Sequence, residues 1–185
     1  MRISLNTLWL KLRNKIRVDK SNSLEIPATS NIVGCTFIIR GTNNKIHIGK
    51  HTTIRDCILE INGKECEIYI GDECVIGHNC YFVAKENHTK IKIGDQCMLS
   101  RNIKIMASDG HNIFNKEDHR INPSKDIIIS NNIWLADNVT VLKGTTIGAY
   151  SIIAINATLT VSIPKNSIAA GNPAKIIKSN VYWEK

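Results

Sequence analysis

The sequence predicts an all-β chain wound into a solenoid, and three observations carry that prediction. From Ile129 to Leu159 an aliphatic residue occupies every sixth position without a miss: Ile129, Leu135, Val141, Ile147, Ile153 and Leu159. An α-helix needs apolar spacing of three to four and a half-buried strand an alternation of two, so neither accounts for this run. The fourth residue after each aliphatic is usually small or apolar (Ile133, Val139, Thr145, Ser151, Ala157, Ile163). That pattern reads as flat rungs of short parallel strand around a narrow prism, a large side chain filling it and a smaller one easing each corner. Glycine follows the aliphatic in Ile48-Gly49, Ile70-Gly71, Ile76-Gly77, Ile93-Gly94 and Ile147-Gly148, which predicts corners that need a permissive backbone.

Residues 1–30 precede the repeat. Leu5, Leu8, Trp9, Leu12 and Ile16 recur at helical spacing and predict a short amphipathic helix. The first 20 residues hold Arg2, Lys11, Arg13, Lys15, Arg17 and Lys20 against Asp19, so most of the chain's net +8 sits there. A nucleic-acid-binding protein would carry its basic stripe along the folded domain, and this distribution speaks against one. Two readings of the helix stand: a foot on an anionic membrane surface, or a cap docked on the solenoid or a neighbouring subunit. The cap is the favoured one.

The repeat domain spans 31–178. Its period reaches back through Ile32, Ile38, Ile48, Ile54, Ile70, Ile76, Phe82, Ile93, Leu99 and Ile105, with three interruptions. The longest interruption is an inserted loop, 106–126. Residues 179–185 form a tail. The chain's 185 residues, 43% of them hydrophobic, suffice for one domain with its own core. Only 5% are aromatic, as expected for a thin prism filled by Ile, Val and Ala. No apolar stretch approaches membrane-spanning length and no signal-peptide core is visible, so the expected location is cytoplasmic. Cys35, Cys57, Cys66, Cys74, Cys80 and Cys97 form no metal-binding pair motif. They read as small, buried, reduced thiols.

A regular solenoid offers only ladders of side chains, so chemistry is expected in insertions or between subunits. The 106–126 loop concentrates His111, His119, Asp109, Asp118, Asp126 and Glu117 where packing does not require them. His111 follows Asp109-Gly110, and imidazole suits a general base because its ordinary pKa lies near working pH. The motif Asp109-Gly110-His111-Asn112-Ile113, then Arg120-Ile121-Asn122-Pro123 and Ile133-Trp134-Leu135, resembles the acceptor loop of hexapeptide-repeat acyltransferases. The branch it resembles is that of sugar O-acetyltransferases of capsule, O-antigen and galactoside or maltose type. The segment Ile163–Lys178, with Ala169-Ala170-Gly171-Asn172-Pro173, closely resembles the same family's closing segment.

This resemblance covers roughly residues 32–183. It implies a left-handed parallel β-helix assembled as a homotrimer, with active sites where adjacent subunits face one another. It implies acetyl-CoA as acyl donor and no metal. His111 matches the family base that takes the proton from a sugar hydroxyl; Asp109 or Glu117 is the expected orienting carboxylate, and Asn79 an approximate match to an oxyanion or sugar-holding asparagine. His78, Asn87 and His88 are further acceptor-side candidates. Trp134, Asp137, Ile155, Thr160 and Ala169 fall where the family lines its donor channel. Lys175 and Lys178, three residues apart, are expected to face one way on a short C-terminal helical turn and meet coenzyme A phosphates.

The expected reaction is acetyl transfer to a sugar hydroxyl of a surface polysaccharide or its precursor. N-acetylation of an amino sugar or nucleotide sugar is the alternative within enzymes, with serine O-acetylation disfavoured for want of a long helical N-terminal domain. A non-catalytic β-helix scaffold is the alternative outside them. A zinc-dependent γ-carbonic anhydrase would need three histidines on consecutive coils, and His78, His111 and His119 lack that spacing.

Overall fold

The computed structural model describes residues 5–184, with side chains from Trp9 onward. Arg2, the side chains of Leu5 and Leu8, and Lys185 lie outside the described residues. After helix α1 (Leu5–Arg13) the chain visits three sheets in turn, coil after coil. The first sheet has seven strands, from Lys15–Val18 to Thr158–Leu159; the second has six, from Ser23–Glu25 to Thr146–Ile147; the third has eight, from Asn31–Val33 to Lys175–Ser179. Every pairing between named strands is parallel except the last, Ser167–Ala170 against Lys175–Ser179. Three flat walls around one column of side chains make a parallel β-helix.

Stacking in register decides what each position tolerates. Phe37, Leu59, Phe82, Ile105, Val141 and Leu159 follow one another up the first wall and are fully buried. Ile54, Ile76, Leu99, Leu135, Ile153 and Ala169 do the same on the third. The six-residue period describes the C-terminal coils. Earlier coils are longer, and their strands alternate, burying pairs such as Phe37 and Ile39 or Leu59 and Ile61. Ile38, placed in the core by the six-residue count, therefore points outward between Phe37 and Ile39.

The glycines are needed for a different reason from the one expected. None of Gly49, Gly71, Gly77, Gly94 and Gly148 has a positive φ. A Cβ on Gly49 would lie 2.3 Å from the carbonyl carbon of Gly71, and one on Gly71 would lie 2.7 Å from that of Gly94. The coils approach too closely there for any side chain. Left-handed backbone occurs at all three corners on other residues, and at the corner between third and first walls these are Asp56, Asn79, Asn102, Asn138 and Asn156 (φ 50–62°). Short polar side chains tolerate that conformation, and Asn102 donates to Asn138 Oδ1, and Asn138 to Asn156 Oδ1, both at 2.9 Å.

All six cysteines are buried and free. The thiols of Cys57, Cys74 and Cys97 point to the carbonyls of Gly77, Gly94 and Ser130 on the next coil, at 3.0, 3.1 and 3.1 Å. They are small core residues.

Both chain ends depart from expectation. Helix α1 stops at Arg13, and Ile16 belongs to the first strand, Lys15–Val18, because its backbone pairs with Phe37. Leu10 and Ile16 pack on the core at this end of the prism, whereas Trp9 (61%) and Leu12 (70%) are exposed. At the other end Lys175–Ser179 is a strand and not a helical turn. Unpaired carbonyls and amides on the last third-wall strand recruit it, since a sheet edge is a hydrogen-bonding template.

Buried polar corners hold the N-terminal coils together. Asn44 is 1% exposed and donates to Arg40 O, Gly63 O and Asn22 Oδ1 while accepting from Cys66 N at 2.8 Å. Asn44→Ala orphans the buried Cys66 amide. Urea unfolding is expected to show a loss of roughly 2–3 kcal/mol, against less than 1 kcal/mol for an exposed asparagine such as Asn112.

Candidate active site

Two features of the wall break the uniform ladder. The first is a groove of ≈ 440 Å³ on the outer face of the third wall, lined by Val75, Gly77, Met98, Leu99, Ser100, Arg101, Trp134, Ala136, Asp137 and Ile155. Register explains its shape. Val75, Met98, Trp134, Ile152 and Ile168 form one outward column of large apolar side chains. Beside it runs a column of small ones, Gly77, Ser100, Ala136, Ala154 and Ala170, each position linked by its amide or carbonyl to the next coil. A tall column next to a low one makes a trough along the prism axis.

Three sequence-predicted donor residues meet in this trough. Trp134 is half-buried and its Nε1 donates to Ser100 Oγ at 3.4 Å. Asp137 is clamped by Arg101 through Nε at 3.2 Å and Nη2 at 2.6 Å, with the Arg101 amide on its other oxygen at 2.9 Å. That guanidinium holds the Asp137 carboxyl below the usual carboxylate range. Ile155 is exposed on the groove's rim.

The lysines stand on the same face, through a device the sequence did not reveal. In the antiparallel pair Lys178 faces Ile168 and Lys175 faces Ala170, with a register shift between Ile168 and Ala169. That irregularity inserts one extra residue, Ile177, so side chains three apart emerge on one face, where an unbroken strand would oppose them. The expectation that they point together holds, and the helical turn invoked for it does not. Lys178 continues the Trp134, Ile152, Ile168 column, and at the usual strand spacing three steps separate it from Trp134 by roughly 14 Å. The groove's lining includes neither lysine; both lie further along the same wall.

Two other donor candidates fall elsewhere. Ala169 is fully buried; its side chain fills the prism and its carbonyl accepts from the Ala154 amide at 2.9 Å. Ala170 is the outward neighbour. Thr160 is exposed beyond the strand Thr158–Leu159, outside the groove.

The second feature is the loop 107–126, which leaves the first wall after Lys104–Met106 and enters the second at Ile127–Ile129. It is a hairpin. Phe114 bridges Arg120, Ile121 N donates to Ile113 O, and Asn115 Oδ1 caps the tip by accepting from Glu117 N and His119 N. Its hub is Asn122, 7% exposed, which donates to Asp109 Oδ2 (2.9 Å) and His111 O (2.8 Å) and accepts from Ile113 N (2.7 Å). Lys143, from the following coil, donates to Asp109 Oδ2 at 2.6 Å and Asn122 O at 3.0 Å. Arg120 pairs with Glu86 at 2.5 Å, and Ser124 and Thr89 share a hydroxyl bond of 2.7 Å. The loop is thereby fastened to the coils below and above.

This network fixes the backbone of His111 and leaves its ring exposed at the surface. Asp109 is not the carboxylate orienting that ring: its charge is taken by Lys143, which with Asn122 holds it below the usual carboxylate range. Glu117 sits at the hairpin tip and is bonded there through its own amide. Asn79 belongs to the left-handed corner between third and first walls, whereas the loop springs from the corner between first and second. One chain therefore does not bring Asn79 to His111. His78 pairs with Asp56 at 2.7 Å on the Asn79 corner. Asn87 and His88 lie on the loop's own corner, Asn87 accepting from Lys64 N and His88 meeting Glu65 at 3.2 Å.

Sequence reading missed Met98, Ser100 and Arg101 in the groove and Glu86 and Lys143 in the loop's anchorage. Asn122 lies in the quoted Arg-Ile-Asn-Pro motif, but Lys143 is 34 positions from Asp109 and carries no local signal.

No family model matches the chain. It is 31% identical to the polysialic acid O-acetyltransferase of Neisseria meningitidis over 184 residues, covering 88% of this chain and 86% of that protein. It is 37% identical to the polysialic acid O-acetyltransferase of Escherichia coli O1:K1 over 146 residues, 79% of this chain but only 40% of that longer relative. Among solved structures, the polysialic acid O-acetyltransferase OatWY superposes with a TM-score of 0.73 at 29% identity, covering 93% of this chain and 91% of that one. The fold is the left-handed β-helix of these neighbours.

Because Lys143 depresses the Asp109 pKa, the ion pair stabilises the loop above the ordinary carboxylate range and is lost as pH falls through the lowered folded value. Lys143→Ala is expected to speed amide exchange across residues 109–122 about fivefold at pH 7, the worth of one half-solvated pair. In the unaltered chain the same loosening is expected only below about pH 4. Hydrogen-exchange mass spectrometry reads both.

Proposed function

The chain belongs to the hexapeptide-repeat acyltransferase family, in its sugar O-acetyltransferase branch, and from that premise we propose that it moves an acetyl group from acetyl-CoA to a sugar hydroxyl. The observation that carries this reading is the convergence of Trp134, Asp137 and Ile155 on one groove, with Lys175 and Lys178 further along the same wall. The acceptor class, a surface polysaccharide or its precursor, is taken from the relatives.

Within one chain the trough and His111 belong to different edges of the prism, and no loop residue lines the trough. A cyclic trimer would set one copy's loop edge against its neighbour's trough, completing the site. The outer faces support such packing: Ile58 (42% exposed), Met106 and Leu142 on the first wall, and Val75, Met98 and Trp134 on the third, would otherwise meet water.

In the proposed reaction the acceptor O–H gives its proton to the His111 imidazole, the oxygen attacks the thioester carbonyl, and the coenzyme A thiolate leaves as the C–S bond breaks. The Asn122 hub holds the His111 backbone while Arg101 and Asp137 stiffen the trough's rim. No step requires a metal.

His111→Ala is expected to lower kcat at least about 100-fold and leave KM for acetyl-CoA unchanged, read with a panel of saccharide acceptors. Co-expression of His111→Ala chains with Ala136→Trp chains, whose trough is filled, should recover activity that neither has alone. Full activity of His111→Ala would overturn the base assignment, and absence of recovery would overturn the shared site.

Among the described residues no helix is long and apolar enough to cross a membrane. We infer peripheral contact at the N-terminal end, where exposed Trp9 and Leu12 stand among Lys11, Arg13, Lys15 and Arg17, all exposed. Sedimentation with vesicles is expected to show binding to anionic but not neutral phospholipid, lost in Trp9→Ala, Leu12→Ala. Binding that ignores lipid charge or survives this double substitution would sink the inference.

A further inference from the structure

Beyond the last strand the chain carries two aromatic residues, Tyr182 and Trp183, that no β-helix coil requires. It turns back along the corner between second and third walls. Val181 N donates to Asn166 O at 3.0 Å and Asn166 Nδ2 donates to Val181 O at 3.1 Å, a two-way clasp that fixes the direction of the segment. Trp183 Nε1 then donates to Asn132 O at 2.8 Å, two residues before Trp134. The two indoles lie 6.1 Å apart, tilted by 47°, within the range of favourable aromatic pairs.

Trp134 is thus held from both sides. Its Nε1 reaches Ser100 on the trough side, and Trp183 stands behind it. An outward side chain on a flat wall has several staggered positions open to it, and those that swing toward the second wall meet the Trp183 ring. We propose that Trp183 is a positioning residue for the donor trough: by occupying the space behind Trp134 it fixes the wall against which the donor's extended arm lies. This inference rests on the acetyl-CoA reading of the trough. Removing Trp183 leaves every trough residue in place but frees Trp134 to turn away, so donor affinity falls while the chemical step, carried by His111, continues.

The test uses coenzyme A itself, so binding is read apart from acetyl transfer. The chain has three tryptophans, Trp9, Trp134 and Trp183, so Trp9→Phe, Trp183→Phe leaves Trp134 as the single emitter. Fluorescence titration in the Trp9→Phe background should give a Kd about fivefold higher for Trp183→Ala, the loss of one aromatic pair. Trp183→Phe, which keeps a ring and loses the bond to Asn132, should change it by about twofold or less. KM for acetyl-CoA should follow Kd, with kcat unchanged. A purely structural role would lower Tm and leave Kd where it was. Acrylamide should quench Trp134 more strongly when residue 183 is alanine than when it is phenylalanine.

Equal Kd for the Trp183→Ala and unsubstituted chains, or equal quenching in the alanine and phenylalanine forms, overturns the positioning role and leaves the donor reading standing. Failure of the unsubstituted chain to bind coenzyme A removes the donor reading and this inference together. Should Trp183→Ala not fold, Trp183→Leu decides: a Kd raised about fivefold supports the positioning role, and an unchanged Kd overturns it.

Discussion

Everything in this molecule follows from parallel coils hydrogen-bonded in register at the strand spacing of about 4.8 Å. Once each residue must sit directly above its counterpart one coil earlier, the chain loses the freedom to choose side chains one at a time and chooses columns. A column inside the prism must be apolar and of matched width, hence the runs of Ile and Leu. A column where successive backbones nearly touch favours glycine, as at Gly49, Gly71 and Gly94, and takes the small Ser130 on the next coil. The left-handed column at the corner between third and first walls is mostly asparagine, and the stacked amides bond up the ladder. The donor trough is the outward expression of the same rule, a column of large side chains beside a column of small ones.

This also explains why a histidine proposed to do chemistry does not stand on a wall. A wall position repeats every coil and faces outward at a fixed angle, which suits a long passive contact but gives no convergence of polar groups. The insertion between first and second walls escapes the register, and its conformation is then set by its own bonds. Asn122 carries the largest share: one side chain satisfies Asp109, the His111 carbonyl and the Ile113 amide, and its own carbonyl receives Lys143 and Arg120. Rigid β-structure below and above, through Glu86 and Lys143, transfers its stiffness to the loop, so that an exposed imidazole sits on a backbone with few alternatives.

How much of this was legible in the sequence tracks the range over which the controlling interaction acts. The C-terminal period was plain because inward positions repeat at fixed local spacing. The longer N-terminal coils were misread at Ile38, since six-residue counting cannot register extra residues that let a strand alternate. The glycines were found and misexplained: a left-handed turn is a local property, whereas the close approach that requires them is to a coil about 22 residues away. Trp134, expected to point away from the prism, does so, and of the three residues that the resemblance set beside it Asp137 and Ile155 share its groove while Thr160 does not. The sequence leaves the carboxylate beside His111 open between Asp109 and Glu117, and the lysine that takes the charge of Asp109 is visible only once coils are stacked. The strand at Lys175–Ser179 was read as a helical turn because its partner is an open sheet edge, a feature of the assembled end and not of its residues.

The division of labour between wall and loop bears on what sort of object the active unit is. Chain connectivity takes the coil from first wall to second at the loop's edge and from third wall to first at the trough's edge, so the first wall always lies between them. No rotation of side chains closes that distance, because the walls are tied coil to coil by backbone hydrogen bonds throughout the described repeat. A conformational change large enough to bring the two edges together within one prism would have to unpair a sheet. Association of identical prisms requires no such change: each presents one edge of each kind, and a closed ring of copies matches them while covering the apolar outer faces of the first and third walls. Under the proposed reaction the stability of the wall and the separation of its edges are one constraint, and the site is complete only between copies.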